Sequence, residues 1–354
     1  MTVVQGGVST DGITKPDTLE AVILDVGHGN CAILREGDTC VIVDAKSDKL
    51  LYQELIDSGV RRIEHLVLSH ADTDHIAGAL RLLPNTDFEI GTVWVNSDSA
   101  KDSMKWDELL RLLTRLRRED RFRVRMGISD LEDWELSLKR ILIDVLHPTL
   151  SDIGHGTGKK GKVRPEITTN GMSVVLRVLM DGQPALLLPG DLDTAGLHQM
   201  LGRTKPVTAH VLVYPHHGGH SGEAQEGDFA RSLCSAVQPE VILFSMGRSA
   251  FRNPLPEVVA EIANSFSHAR IACTQLSPNC HAGAPPAGPP LHLLTPAAGH
   301  SENQCCAGTV RISVTADGEI SVVPHSDEHQ SWIRSNVSDP MCISKPQLPR
   351  QRSS

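Results

Sequence analysis

Apolar residues along this chain fall first into short runs closed by glycine, asparagine or aspartate, and later into strand-length runs that alternate with helical spacings. Residues 21–26, 31–35 and 40–43 read as three strands. The turns Gly27-His28-Gly29-Asn30 and Glu36-Gly37-Asp38 separate them, which predicts an antiparallel meander. Residues 50–58 carry a helical spacing that stops at Gly59. Strands are then expected over 63–68, 90–95, 140–146, 173–180, 185–188, 209–213, 241–245 and 270–273. Helices are expected over 74–83, 102–118, 193–201, 229–237 and 256–265, and a closing hairpin over 309–314 and 320–323. The pattern predicts one domain over residues 19–325 with a Cys/Pro/Gly-rich insertion near 274–306. Residues 1–18 read as a flexible arm and 326–354, polar and rich in Pro and Ser, as a flexible tail.

Composition narrows this picture without changing it. The 354 residues are 40% hydrophobic and only 3% aromatic, so leucine, valine and isoleucine must fill the core. A net charge of -9 argues against a uniformly basic, nucleic-acid-coating surface. It leaves room for local basic paths: Arg111, Arg115, Arg117 and Arg118 on the helix over 102–118, and Lys159, Lys160, Lys162 and Arg164 in a long loop over 147–169. The first group reads as a solvated helix face, since charge runs usually are one. The second reads equally as a phosphate clamp or as an ordinary insertion. No segment reaches the roughly 20 apolar residues that span a bilayer, the first 20 residues lack the build of a signal peptide, and eight cysteines in a chain of this length do not form a secreted disulfide scaffold. The expectation is a cytoplasmic protein with reduced thiols and no membrane partner.

The chemistry concentrates in two stretches. In His70-Ala71-Asp72-Thr73-Asp74-His75, four metal-ligating side chains occupy six positions on a strand-to-helix turn. His70 and Asp72 can face one point and Asp74 and His75 another, which suits two ions side by side. The alternative is a helix cap at Asp74 and a satisfied core histidine at His70. The second stretch, Pro215-His216-His217-Gly218-Gly219-His220-Ser221, puts three histidines just past a strand, among glycines that permit close backbone approach. Asp191 follows Pro189-Gly190 at another strand end.

HADTDH, PGDLD and PHHGGHS, in this order and spacing, resemble the metallo-β-lactamase superfamily. ILDVGHGNCAIL and NGMSVVL narrow the resemblance to the branch that contains the soluble hydrolase domain of the DNA-uptake protein ComEC. It covers about residues 20–325. It implies an αββα sandwich, two mixed β-sheets packed face to face between helices, with the site at one sheet edge. It also implies a pair of divalent metal ions, with His70, Asp72, Asp74, His75, Asp191 and His216 as ligands and Asp191 between the ions. Asp74 and His217 would then be catalytic, Asp74 orienting or deprotonating the attacking water. Asn170, Ser173, Ser221 and His28 would be candidates for substrate contacts. Asp72 stands where the superfamily commonly has histidine, which makes manganese as suitable as zinc. The implied activity is a metal-dependent phosphodiesterase acting on nucleic acid. The alternatives are hydrolysis of a small phosphodiester such as a cyclic nucleotide, and a partner-activated effector or sensor subunit of an antiviral defence assembly. A β-lactamase activity is disfavoured by Asp72.

The insertion adds a separate expectation. Cys280, His281, Cys305 and Cys306 offer thiolates and imidazole at its two ends, which suits a further, structural Zn²⁺ in a closed tetrahedral site. Buried free cysteines are the competing account.

Overall fold

The computed structural model describes residues 18–96, 98, 101–131, 135–158, 166–248 and 251–343. The basic loop residues Lys159, Lys160, Lys162 and Arg164, and nearly all of the expected N-terminal arm, lie outside the described residues. In chain order the strands are β1 (Leu19–Ile23), β2 (Ala32–Glu36), β3 (Thr39–Val43), β4 (Arg62–Leu68), β5 (Glu89–Val95), β6 (Arg123–Met126), β7 (Ile141–His147), β8 (Val175–Met180), β9 (Gln183–Leu188), β10 (Val211–Val213), β11 (Val241–Phe244), β12 (Arg270–Cys273), β13 (Val310–Val314) and β14 (Ile320–Val323). One sheet has the order β14-β13-β1-β2-β3-β4-β5-β6, the other β12-β11-β10-β9-β8-β7. Both are mixed. The meander β1-β2-β3 is antiparallel, as its turns predict, whereas β3 to β6 run parallel. In the second sheet β7-β8-β9 is antiparallel and β9 to β12 parallel.

Strand periodicity sorts side chains between layers. Along β3, Val41 and Val43 enter the core between the sheets, while Cys40 and Ile42 enter the layer outside the first sheet. Along β9, Leu186 and Leu188 face the first sheet and Leu187 faces outward. The outer layers are helical: α1 (Asp48–Asp57), α2 (Thr73–Ile76), α3 (Ala79–Leu82) and α4 (Met104–Arg118) belong to the first half, followed by α5 (Leu150–His155), α6 (Thr194–Leu201), α7 (Glu226–Val237) and α8 (Pro256–Ser265). Leu51, Leu55, Trp106 and Leu109 bury against the first sheet, and Leu197, Phe229, Leu233 and Ile262 against the second. The result is the expected αββα sandwich.

Four elements depart from the sequence pattern, one of them α5, a short helix inside the loop expected over 147–169. The helix expected over 74–83 is split in two at Gly78. A Cβ there would lie 2.7 Å from the carbonyl oxygen of Ala45, so the chain passes too close to the β3–α1 loop for a regular helix of larger residues. β6 was not anticipated. The expectation of a flexible tail from residue 326 is corrected for its first part: α9 (Ser326–Asn336) packs on the second sheet's outer layer, with His329 and Ile333, one turn apart, both buried.

Candidate metal centre

Parallel strands place their C-terminal loops on one edge of each sheet, and those edges meet. The turn after β4 carries His70 and Asp72, α2 carries Asp74 and His75, and the loop after β9 carries Asp191. A single 3-10 turn after β10, Pro215–Gly218, carries His216 and His217. Asp72, rather than Asp74, is the N-cap of α2, and its side chain makes no capping hydrogen bond. His216 and His217 both hold left-handed backbone, φ 52° and 56°. For a non-glycine residue that costs on the order of 1–3 kcal/mol. His216 N–H donates to Asp191 Oδ1 at 3.2 Å, so the strained turn is latched to the carboxylate it surrounds.

Asp191 sits at the centre. Its Oδ1 is 3.4 Å from His75 Nε2. Its Oδ2 is 3.8 Å from His217 Nε2, 3.9 Å from His70 Nε2 and 4.0 Å from His216 Nδ1. Asp74 Oδ2 lies 3.3 Å from His217 Nε2 and 3.6 Å from His28 Nε2. Among the described residues, one set of three or more potential ligands has its donor atoms all within 4.8 Å of one another: Asp74, His75, Asp191 and His217. The expectation gave the ligand role to His216 and a catalytic role to His217; the geometry puts His217 in the set.

The groups behind these side chains fix their orientation. His75 Nδ1 is 2.6 Å from Asp44 Oδ2, and an ionised carboxylate only accepts, so the Nδ1 proton points away from the centre and Nε2 faces it. His217 Nδ1 donates to the Ser245 carbonyl at 2.6 Å with the same result. The Ser69 hydroxyl donates to Asp44 at 2.9 Å and is 3.0 Å from His70 Nδ1, whose proton it accepts. Asp44, itself held at φ 61°, thus orients two imidazoles. Buried and without a hydrogen-bond partner are His70 Nε2, His75 Nε2, His216 Nε2 and Asn170 Oδ1. Buried polar atoms are normally paired. The unpaired Nε2 atoms of His70 and His75, both facing a carboxylate with their tautomers set from behind, fit a divalent ion bound by N and O ligands.

Electrostatics describe the same centre. Burial alone would raise the Asp191 carboxyl, but His217, His75 and His216 outweigh it and hold the group well below the usual carboxylate range. Burial also raises Asp74, and the hydrogen bond from His217 together with the charge of His75 reverses that. For His75 and His217 burial is again opposed and overcome, by Asp44 and Asp191 in the first case and by Asp191 and Asp74 in the second, so both imidazoles are raised. Burial, with neighbouring imidazoles, lowers His70 and His28 to about 4. Protons on His75 and His217 therefore balance charge that a cation would otherwise balance.

The remaining expected residues divide. Asp72 is 3.7 Å from His70 Nε2 but makes an ion pair with Lys101. Asn170 opens a 3-10 turn over Asn170–Met172 near the centre. His28 lies on the rim, its ring 4.4 Å from that of His217. Ser173 and Ser221 are both buried and already engaged, Ser173 Oγ accepting the Asp191 N–H at 3.2 Å and Ser221 Oγ donating to Glu226 at 2.6 Å. The structural zinc set is corrected. Cys280, His281, Cys305 and Cys306 do not converge: Cys305 Sγ donates to Asp25 at 3.3 Å, Cys306 Sγ is 3.2 Å from His329 Nε2, and His281 Nδ1 accepts from Ser338 N–H at 3.2 Å. Asp44, Ser69 and Lys101 went unnoticed in the sequence. Only the position of Asp44, a carboxylate closing an apolar strand, hinted at its part.

Comparison with known proteins agrees with this architecture. The family model described as the metallo-beta-lactamase superfamily matches residues 24–237. The competence protein ComA of Neisseria gonorrhoeae is 28% identical over 265 residues, covering 72% of this chain and 31% of that protein, so the chain spans about a third of its relative's length. Among solved structures, YhfI from Bacillus subtilis, a metallo-beta-lactamase fold protein, is 12% identical with a TM-score of 0.43, covering 72% of this chain and 96% of its own. Igni18, a metallo hydrolase from Ignicoccus hospitalis, is 15% identical with a TM-score of 0.40, covering 72% and 94%. The short form of human tRNase Z is 13% identical with a TM-score of 0.38, covering 63% and 92%.

Proposed function

This chain belongs to the metallo-beta-lactamase superfamily, and we propose from that premise that it is a metal-dependent phosphodiesterase whose substrate is nucleic acid. The observation that carries the reading is the set of Asp74, His75, Asp191 and His217, with both imidazoles oriented from behind. These four would hold one divalent ion, zinc or manganese. His70, Asp72 and His216, with Asp191 shared, would hold a second. Ions so placed supply Lewis acidity toward a phosphoryl oxygen and a more acidic water.

The chain's own groups do the rest. Asp74 is the more open of the two carboxylates in that set, its side chain 24% exposed against 9% for Asp191, and it is ionised, so it accepts a hydrogen bond from the attacking water and orients it. Asp44, Ser69 and the Ser245 carbonyl keep the imidazoles in register while charge moves. Lys46, whose stem runs past Gly29 toward His28, favours an anionic substrate. A second reading, an effector subunit switched on by a protein partner, is favoured by the Lys101–Asp72 ion pair, which occupies a carboxylate the second ion would need.

The test is cleavage by metal-stripped protein resupplied with Mn²⁺, Zn²⁺ or Mg²⁺, on single-stranded and duplex DNA, RNA and cyclic dinucleotides. The wild type is expected to cleave a nucleic acid and Asp191→Ala to show only background. Cleavage of cyclic dinucleotides alone would move the substrate to the small-molecule class. Silence on every substrate, with metal content verified, would overturn the enzymatic reading, and activity appearing in Lys101→Ala would favour the switched form.

A further inference from the structure

Phe251 is 67% exposed, in a protein with only six phenylalanines whose other described phenylalanines lie in or against the core. An exposed aromatic ring gains nothing from water. Its position is not casual. The ring stacks on His28, with centroids 4.5 Å apart and an interplanar angle of 21°. His28 in turn lies 4.4 Å from the His217 ring and 3.6 Å from Asp74. Phe251 is therefore one imidazole removed from the metal centre.

The loop that presents it is fastened at both ends. At one end Gly247 lies against the His28 loop so closely that a Cβ would stand 2.4 Å from His28 N. The neighbouring Arg248 donates to the carbonyls of Leu276, His281 and Gly283, which ties the loop to the insertion. At the other end Asn253 Nδ2 donates to the His216 carbonyl at 3.3 Å, and Leu255 N–H donates to the Gly218 carbonyl at 2.9 Å. Described residues on either side of Phe251 are thus tied to both walls of the centre, and the ring already stacks on His28, which lowers the ordering entropy to be lost on binding.

We propose that Phe251, backed by His28, is a stacking platform for a nucleobase of the substrate, holding the nucleotide whose phosphodiester lies over the metal centre. The proposal rests on the phosphodiesterase reading and adds a substrate feature to it. A base inside a duplex has both faces covered by its neighbours, so the platform selects single-stranded or unpaired nucleotides. Stacking tolerates any base, so it supplies position without sequence preference. Lys46, beside the His28 loop, offers charge for the backbone where Phe251 offers none.

The experiment compares wild type, Phe251→Ala and Phe251→Trp on a single-stranded oligonucleotide and on the same oligonucleotide lacking one base at the cleaved position. Phe251→Ala is expected to raise KM on the intact strand by about tenfold or more, with kcat within about twofold. Phe251→Trp is expected to retain the wild-type KM. Removing the base should raise the wild-type KM by a similar factor, and Phe251→Ala should add little to it, the signature of two changes that delete one contact. If Phe251→Ala leaves KM unchanged on the intact strand, or if its effect is as large without the base, the platform is wrong while the nuclease reading stands. If the wild type cleaves no oligonucleotide, the phosphodiesterase reading fails separately. Quenching of Phe251→Trp fluorescence by a nucleoside monophosphate then decides the platform: quenching supports it and its absence overturns it.

Discussion

The metal centre and the cysteine-rich corner at the ends of the insertion start from the same kind of inventory, several ligand-type side chains, and finish differently: among the described residues, only the centre's donors converge. At the centre three imidazoles have an acceptor behind them: Asp44 behind His75, the Ser245 carbonyl behind His217 and the Ser69 hydroxyl behind His70. Those acceptors take the outer proton and turn the inner nitrogen toward Asp191. At the corner the relationship is inverted. Cys305 gives its own proton to Asp25, whose carboxyl is raised by burial. Arg270 donates to His329 Nδ1 at 3.3 Å, which leaves the proton on Nε2 and points it at Cys306. Burial holds Cys280, Cys305 and Cys306 above the ordinary thiol range, so they remain neutral. An inventory of ligand-type residues is not a site; convergence, and what faces their far side, decide.

The sharpest attack on that contrast is Asp191→Ala, which should abolish metal retention at the centre together with activity, read by elemental analysis and turnover; retention of a full metal complement would break the argument. Next is Asp44→Asn. It exchanges an obligate acceptor for a group that can present a donor to His75, and should weaken metal binding about 10–100-fold in a chelator competition. An unchanged affinity would show that orientation from behind is immaterial. The third concerns protons. His75 and His217 are raised by their carboxylates and must lose protons to bind an ion, so affinity should rise with pH through their titration, above the ordinary histidine value of 6.5. Competition at about pH 6 and about pH 8 checks the sign, and tighter binding at the lower value would overturn it. The smallest effect is at the corner: Cys305→Ala should cost about 1 kcal/mol by thermal or urea unfolding, through the lost bond to Asp25, with metal content unchanged. Loss of an ion in that variant would erase the distinction between the two regions.

Much of this was legible in the chain, for identifiable reasons. The αββα order follows from strand runs whose period of two separates Val41 and Val43 from Cys40 and Ile42. His70, Asp72, Asp74 and His75 announce themselves because four ligating side chains in six positions have few other uses. The choice between His216 and His217 was not legible, since it depends on two consecutive positive φ values that the flanking glycines hint at without assigning. Ser173 and Ser221 lie close to the centre in sequence, yet their hydroxyls are spent on Asp191 N–H and Glu226. Helix α9 was hidden by its polar composition, because it buries only one narrow stripe. Phe251 carried no pattern at all; a single aromatic residue acquires meaning only from what its loop is fastened to.

The left-handed pair His216-His217 has one more consequence, for the lifetime of the protein. Its backbone strain is repaid locally, through the latch to Asp191 and the bond to Ser245. Segments of that kind open well before the whole molecule unfolds. An ion that binds the closed turn and not the open one stabilises closure by mass action. The 215–221 segment should therefore exchange its amide hydrogens and meet proteases fastest where divalent metal is scarce, making cellular metal supply a determinant of how long the folded chain persists.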